Sequence, residues 1–253
     1  MNVRAVLFDM GGTLLHFYPP GGGWEDMEKS GARGLYALLT GLGYGVPPYD
    51  EALEQSWQVM RNAWISLGDN PDPQTLTLES RIRALLTEIW GLEPTDGLVQ
   101  MAQHAYIAGA QVNVRPFANA RAVLAALKTA DLPIGLISNT VWPGHAHRYD
   151  LDYYGMLQFL DFTLFSSDEL AWKPFATIFE RAIERLGIVP ADAVYIGDSL
   201  FFDVYGAQQA GLKTIWIEQP RRWWPPSLGI DDIIPNSIVK DIGEVTALLV
   251  PGG

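Results

Sequence analysis

The sequence has no cysteine among its 253 residues. That absence removes a thiol nucleophile, a thiolate-held metal and disulfide cross-links, and it leaves the compartment open. Long apolar runs are missing as well. The N-terminal stretch 3–8 includes Arg4 and is far shorter than a secretory signal or a membrane span. A cytoplasmic location with no membrane association is expected. Positive charge is scarce, with 17 Lys and Arg against 29 Asp and Glu, for a net charge of −12. A protein of that sign repels nucleic acid and anionic lipid at long range, so neither is expected as a partner. An anionic ligand must instead be held by local positive charge. Internal repeats and low-complexity tracts are also absent.

What remains is 48% apolar and 18% charged, the composition of a well-cored protein with one large domain or a domain carrying an insert. Short apolar runs occupy 3–8, 133–137, 162–165, 193–196 and 214–217, with the length and β-branched content of buried parallel strands. Apolar residues at three- and four-residue spacing over 119–129 and 175–186 predict helices, the second stopping at Gly187. This alternation predicts an α/β fold with a Rossmann-like, doubly wound parallel sheet. Residues 17–114 carry no strand signal. They show four amphipathic segments, 24–42, 49–67, 75–90 and 94–108, and predict an all-helical insert entered through Pro19-Pro20-Gly21-Gly22-Gly23. The expected division is a core of 1–16 and 115–253 and a helical domain of 17–114.

In an open α/β sheet, ligands sit beyond the C-terminal ends of the strands. Several runs end there on polar residues: Asp9, Ser138-Asn139, and Gly197-Asp198-Ser199, with Asp203 five residues beyond Asp198 and Lys173-Pro174 after the segment 162–172. Taken singly, each has an ordinary account as a helix cap, a turn or a solvated charge.

Their order resembles that of the haloacid dehalogenase superfamily of hydrolases. "FDMGGTL" from Phe8 is similar to its first motif, "LISN" from Leu136 to its second, "WKP" from Trp172 to its third and "GDSLFFD" from Gly197 to its fourth. The helical insert is similar to the cap that many members place between the first two motifs. The resemblance implies that Asp9 is the nucleophile and forms an aspartyl-phosphate. It implies Mg²⁺ held by Asp9, Asp198, Asp203 and the backbone carbonyl of Gly11. Ser138 would contact the phosphate and Lys173 neutralise its charge, with Gly12, Asn139 and His16 also at the substrate. The expected activity is a Mg²⁺-dependent phosphatase acting on a small phosphorylated metabolite that the cap selects. No oligomeric state follows.

One residue departs from the family. Gly11 stands where its phosphatases carry an aspartate that protonates the leaving group and later activates water. Three readings stay open. The first is a phosphatase whose substrate has an acidic leaving group, or one that borrows an acid, His16 being nearest in sequence. The second is a dehalogenase or a phosphonate hydrolase. Dehalogenases usually lose the first acid of the fourth motif, here present as Asp198, and phosphonate cleavage uses a cap lysine, for which Lys29 is the only candidate. The third is a relative that binds without turnover.

Other features have simpler accounts. Tryptophans 24, 57, 64 and 90 fall on apolar faces of the insert, and Trp142 and Trp172 lie beside motif residues, as pocket walls or as core. His145-Ala146-His147 is expected in a loop. Residues 219–237, including Arg221-Arg222 and Trp223-Trp224, are expected to form a long ordered loop.

Overall fold

The computed structural model describes residues 1–66, 76–219, 230 and 232–250. Most of the expected loop at 219–237, including Arg221-Arg222 and Trp223-Trp224, lies outside the described residues, as do Leu67 and Thr75 at the ends of two expected helices. In chain order the elements begin β1 (Ala5–Phe8), β2 (Leu15–His16), α1 (Trp24–Gly41), α2 (Tyr49–Ser66), α3 (Leu78–Ala84, widening over Leu85–Ile89), α4 (Asp96–Gln111) and β3 (Arg115–Pro116). They continue with α5 (Ala120–Thr129), β4 (Ile134–Ser138), α6 (Gly144–Tyr153), β5 (Phe162–Phe165), α7 (Ser166–Glu169), α8 (Ala176–Leu186) and β6 (Ala193–Gly197). After a wide helical turn at Leu200–Tyr205 come α9 (Gly206–Gln209), β7 (Lys213–Ile217), β8 (Ser237–Val239) and α10 (Val245–Leu249). No helix among the described residues is long and apolar enough to cross a membrane.

Six strands form one parallel sheet in the order β5-β4-β1-β6-β7-β8. Every residue of β1, β4 and β6 is buried, as apolar strands covered on both faces must be. Gly135 is required in β4, because a Cβ there would collide with the Phe162 ring and with Leu7. On one face Leu7, Ile137 and Leu164 pack with Ile178, Phe179 and Ala182 of α8. Helix α8 ends at Gly187 (φ 62°), whose N–H reaches the carbonyls of Ile183 and Glu184 at 3.0 and 3.1 Å.

The structure adds elements that the patterning does not signal. Strands β2 and β3 pair antiparallel over two residues each, too short to show any period. Strand β8 is a three-residue edge with an exposed Ile238. The expected loop at His145-Ala146-His147 is instead part of α6. His145 is exposed while His147 is buried, its Nε2 2.7 Å from the Thr140 hydroxyl, so the two histidines do not form a metal pair.

Contacts divide the chain into two compact units, one of 1–16, 115–140 and 147–253, the other of 17–114 and 141–146. Trp142 lies in the second unit, buried and edge-on to Phe17 at 6.2 Å. Trp172 lies in the first, buried near Phe175 at 6.3 Å. In the helical unit, α1 and α4 approach backbone to backbone. A Cβ on Gly34 would strike the Ala105 carbonyl, and one on Gly109 would strike the Ser30 carbonyl. The tryptophans of the insert are only partly core. Trp57 and Trp64 meet Trp24 edge-on at 5.2 and 5.3 Å, all three half-buried, whereas Trp90 is buried. The wholly buried Glu28 joins three helices, accepting from the indoles of Trp24 (2.8 Å) and Trp64 (3.4 Å) and from the Tyr106 hydroxyl. Burial raises the pKa of this carboxyl, against the three hydrogen bonds that lower it.

The α1–α4 contact gives a direct test. Gly34→Ala forces the helices apart and should lower stability by about 1–3 kcal/mol, despite the better helix propensity of alanine. Urea unfolding of the two proteins measures the difference.

Candidate active site

Strand β1 is flanked by β4 on one side and β6 on the other, so the chain leaves it in opposite directions. This is the topological switch point of the sheet, the place where open α/β sheets bind their ligands. Asp9 follows β1, Ser138 ends β4 with Asn139 next, and Asp198 follows β6. Asp203 is carried back by the wide turn after β6, whose start is capped by Ser199 accepting from the Phe202 N–H at 3.1 Å. Lys173 comes from the α7–α8 connection.

These residues meet. The Lys173 ammonium, 2% exposed, donates to Asp9 Oδ1 at 2.6 Å and to Asp203 Oδ1 at 2.6 Å. Asp9, Asp198 and Asp203 each turn an oxygen into one cluster, all within 4.8 Å of one another. Burial is the largest influence on Asp9 and raises its pKa to about 6, with Asp203 adding to the rise and Lys173 opposing it. Desolvation, then Asp9 and Asp203, push Asp198 well above the usual carboxylate range. For Lys173, burial alone would lower the pKa. The charges of Asp203 and Asp9 outweigh it and leave the amine above its ordinary value.

Two glycines let the acids come this close. Gly12 has φ +83°, and a Cβ there would overlap the Asp198 carboxylate. A Cβ on Gly197 would overlap the carboxyl group of Asp203. The loop after Asp9 is tight, with the N–H groups of Leu14 and Leu15 both returning to the Met10 carbonyl at 2.8 and 2.9 Å. Gly11 sits in this loop, bridged to Leu15.

Other expected residues stand differently. Ser138 is buried at the strand end, with a long 3.4 Å contact to the Asn139 carbonyl. Asn139 was expected at the substrate. Its carboxamide clamps the backbone of Lys173, accepting from its N–H at 2.8 Å and donating to its carbonyl at 2.9 Å. His16 lies on β2, stacked on Phe117 at 3.4 Å, with burial and then Arg115 lowering its pKa to about 4. Both influences disfavour its protonated form.

Three contributors fall outside the motifs. Tyr195 accepts from Lys173 Nζ at 2.9 Å, the Trp216 indole donates to the Asp198 carbonyl at 2.8 Å, and Gln219 donates to the Gly12 carbonyl at 3.0 Å. Each lies in or just after a central strand. An aromatic or amide at such a position carries no sequence signal of its own.

The donor set suits a divalent cation. Three carboxyl groups face one ammonium, so with all three ionised the cluster lacks two positive charges, and its ligands are all oxygen, as hard cations prefer. A bound cation would also reverse the upward pKa shifts of Asp9 and Asp198. Removing the ammonium tests this balance. Lys173→Met leaves the acids uncompensated and should cost about 3–5 kcal/mol of stability. Part of that loss should return on adding a divalent cation, which binds only the folded chain. Urea unfolding with and without the cation reads both effects.

Known proteins resemble this chain over most of its length. The glyceraldehyde 3-phosphate phosphatase of Methanothermobacter thermautotrophicus is 27% identical over 252 residues, covering 98% of this chain and 100% of that one. Its counterpart from Methanopyrus kandleri is 27% identical over 217 residues, covering 86% of this chain and 84% of the relative. Among solved structures, the 2-haloacid dehalogenase of Pseudomonas syringae superposes with a TM-score of 0.70 over 97% of both chains, at 21% identity, a likeness of fold. The pattern of the haloacid dehalogenase-like hydrolases matches residues 3–211, a span that runs from β1 past Asp203. It is to that family of hydrolases that this chain belongs.

Proposed function

We propose that the chain is a Mg²⁺-dependent phosphohydrolase that cleaves a small phosphorylated metabolite through an aspartyl-phosphate on Asp9. The observation that carries this reading is the Lys173 ammonium bridging Asp9 and Asp203 within a cluster of three carboxylates. The phosphatase names of full-length relatives support it. Asp9, Asp198 and Asp203 would hold the cation, with the Gly11 carbonyl as a further oxygen. When bound, Mg²⁺ supplies Lewis-acid charge that reduces repulsion between a phosphate dianion and a carboxylate.

The residues divide the remaining work. Lys173 holds Asp9 Oδ1 and keeps the carboxylate ionised and oriented. A carboxylate oxygen of Asp9 attacks phosphorus in line, and the bond from phosphorus to the leaving oxygen breaks. Water then attacks the acyl phosphate, releasing inorganic phosphate and restoring Asp9. Ser138 and the backbone N–H groups of the tight loop at Gly12 would bind the phosphoryl oxygens. The helical unit of 17–114 would select the rest of the substrate.

The phosphonate alternative has less support. A Schiff base needs a neutral amine, but Lys29 is paired with Glu25 at 2.6 Å and Glu54 at 3.0 Å, and the hydrogen bonds it donates to these two acids hold its pKa up. Gly11 leaves the leaving group without a proton donor in the loop. Its cost is borne by substrates with poor leaving groups, at about 10²–10⁴ in rate.

Two experiments test the reading. p-Nitrophenyl phosphate should be hydrolysed with Mg²⁺ and not with excess chelator, and Asp9→Asn should abolish turnover without loss of fold. Halide release from a 2-haloacid that survives chelation would select the dehalogenase chemistry instead. The second experiment concerns the leaving group. Aryl phosphates should react much faster than alkyl phosphates, and Gly11→Asp should raise alkyl phosphate turnover selectively, up to the same range of about 10²–10⁴. Equal aryl and alkyl rates in the parent protein would show that the loop needs no added acid.

A further inference from the structure

Tyr195 lies in no motif, yet its hydroxyl oxygen accepts from the ammonium of the charged cluster. A primary ammonium has three N–H donors. Those of Lys173 go to Asp9 Oδ1 at 2.6 Å, to Asp203 Oδ1 at 2.6 Å and to the Tyr195 hydroxyl oxygen at 2.9 Å. The inventory is complete. We propose that Tyr195 is a positioning residue for Lys173, its hydroxyl oxygen taking the third N–H and fixing the ammonium at equal distance from Asp9 and Asp203.

The two acids alone do not define that position. Without a third acceptor, one N–H of an ammonium that is 2% exposed would be buried unpaired, an expensive arrangement. The side chain would relieve it by rotating toward a single acid, and a lysine stem has the freedom to do so. Tyr195 has no such freedom. It is 1% exposed in the middle of β6, in register with Leu7 on one side and Thr214 on the other. Its ring meets Phe179 edge-on at 5.1 Å. The hydroxyl donates to the Ile137 carbonyl of β4 at 2.9 Å, and the Asp203 carboxylate also faces it. Whichever acceptor takes its one proton, a lone pair remains toward Nζ. The phenol therefore transfers the rigidity of the central strands to a flexible cation.

The neutral partner of the three decides the geometry while the charged partners supply the attraction. Phenylalanine keeps the ring and removes only the acceptor, so it isolates the effect.

This inference rests on the phosphohydrolase reading, and its test separates the two. Turnover of p-nitrophenyl phosphate by the parent protein decides the reading. The ratio of variant to parent decides the inference. Tyr195→Phe should lower kcat about 10- to 100-fold, the range expected for losing one hydrogen bond to a charged group, and should change KM by less than about threefold. In a Lys173→Met background the same substitution should change kcat by less than about twofold, because the hydroxyl acts through the ammonium. A second cycle on the metal-free proteins, read by urea unfolding, needs no activity and should likewise give costs that do not add. An unchanged kcat in Tyr195→Phe would overturn the inference, and so would an equal loss in both backgrounds. Were the parent inactive on every phosphate ester, the unfolding cycle would still decide whether hydroxyl and ammonium are coupled.

Discussion

The buried ammonium of Lys173 is the interaction on which the rest of the site depends. Two carboxylates, Asp9 and Asp203, and the nearby Asp198 are drawn together in a place where water screens them poorly. Repulsion among three acids so placed would protonate them or open the loops that carry them. One positive charge at 2.6 Å from two of them holds the group in place. It does so without satisfying the cluster, and that deficit of positive charge is the kind a divalent cation would fill.

Holding one cation in place takes several backbone devices. Asn139 grips the main chain of Lys173 from the end of β4. The Trp216 indole grips the Asp198 carbonyl from β7, and Gln219 grips the Gly12 carbonyl. Gly12 and Gly197 leave room for carboxylates where any side chain would intrude. Burial of Lys173 and Asp9 is thus a consequence of strands β1, β4 and β6 meeting at a switch point, and the functional groups inherit their precision from a rigid sheet.

Much of the fold is legible in the sequence for a simple reason. A strand buried on both faces has to be apolar throughout, so the runs at 3–8, 133–137, 162–165, 193–196 and 214–217 correspond to five strands of the sheet, within one or two residues at their ends. Strand β8 and the β2–β3 pair were not legible, since three- and two-residue strands on an edge or in a loop have no period to detect. Helix α6 was hidden behind Pro143-Gly144, a pair that reads as a turn but here opens a helix. The residues gathered at the site were legible as types closing apolar runs. Their partnerships were not, as Asn139 and His16 illustrate, because a carboxamide suits a substrate and a backbone equally well and an imidazole carries no mark of its burial.

By itself the sequence determined the class of fold and the strand-end placement of Asp9, Ser138 and Asp198, since these follow from local composition and order along the chain; that Gly11 stands where an acid is usual followed from the resemblance of its motif to the family's. Only the tertiary structure decided that Lys173 is buried between two acids, that the Tyr195 hydroxyl takes its third N–H and that His16 stacks on Phe117. Those properties depend on desolvation and on distances between residues as far apart in the chain as Asp9 and Asp203, and no local pattern encodes either.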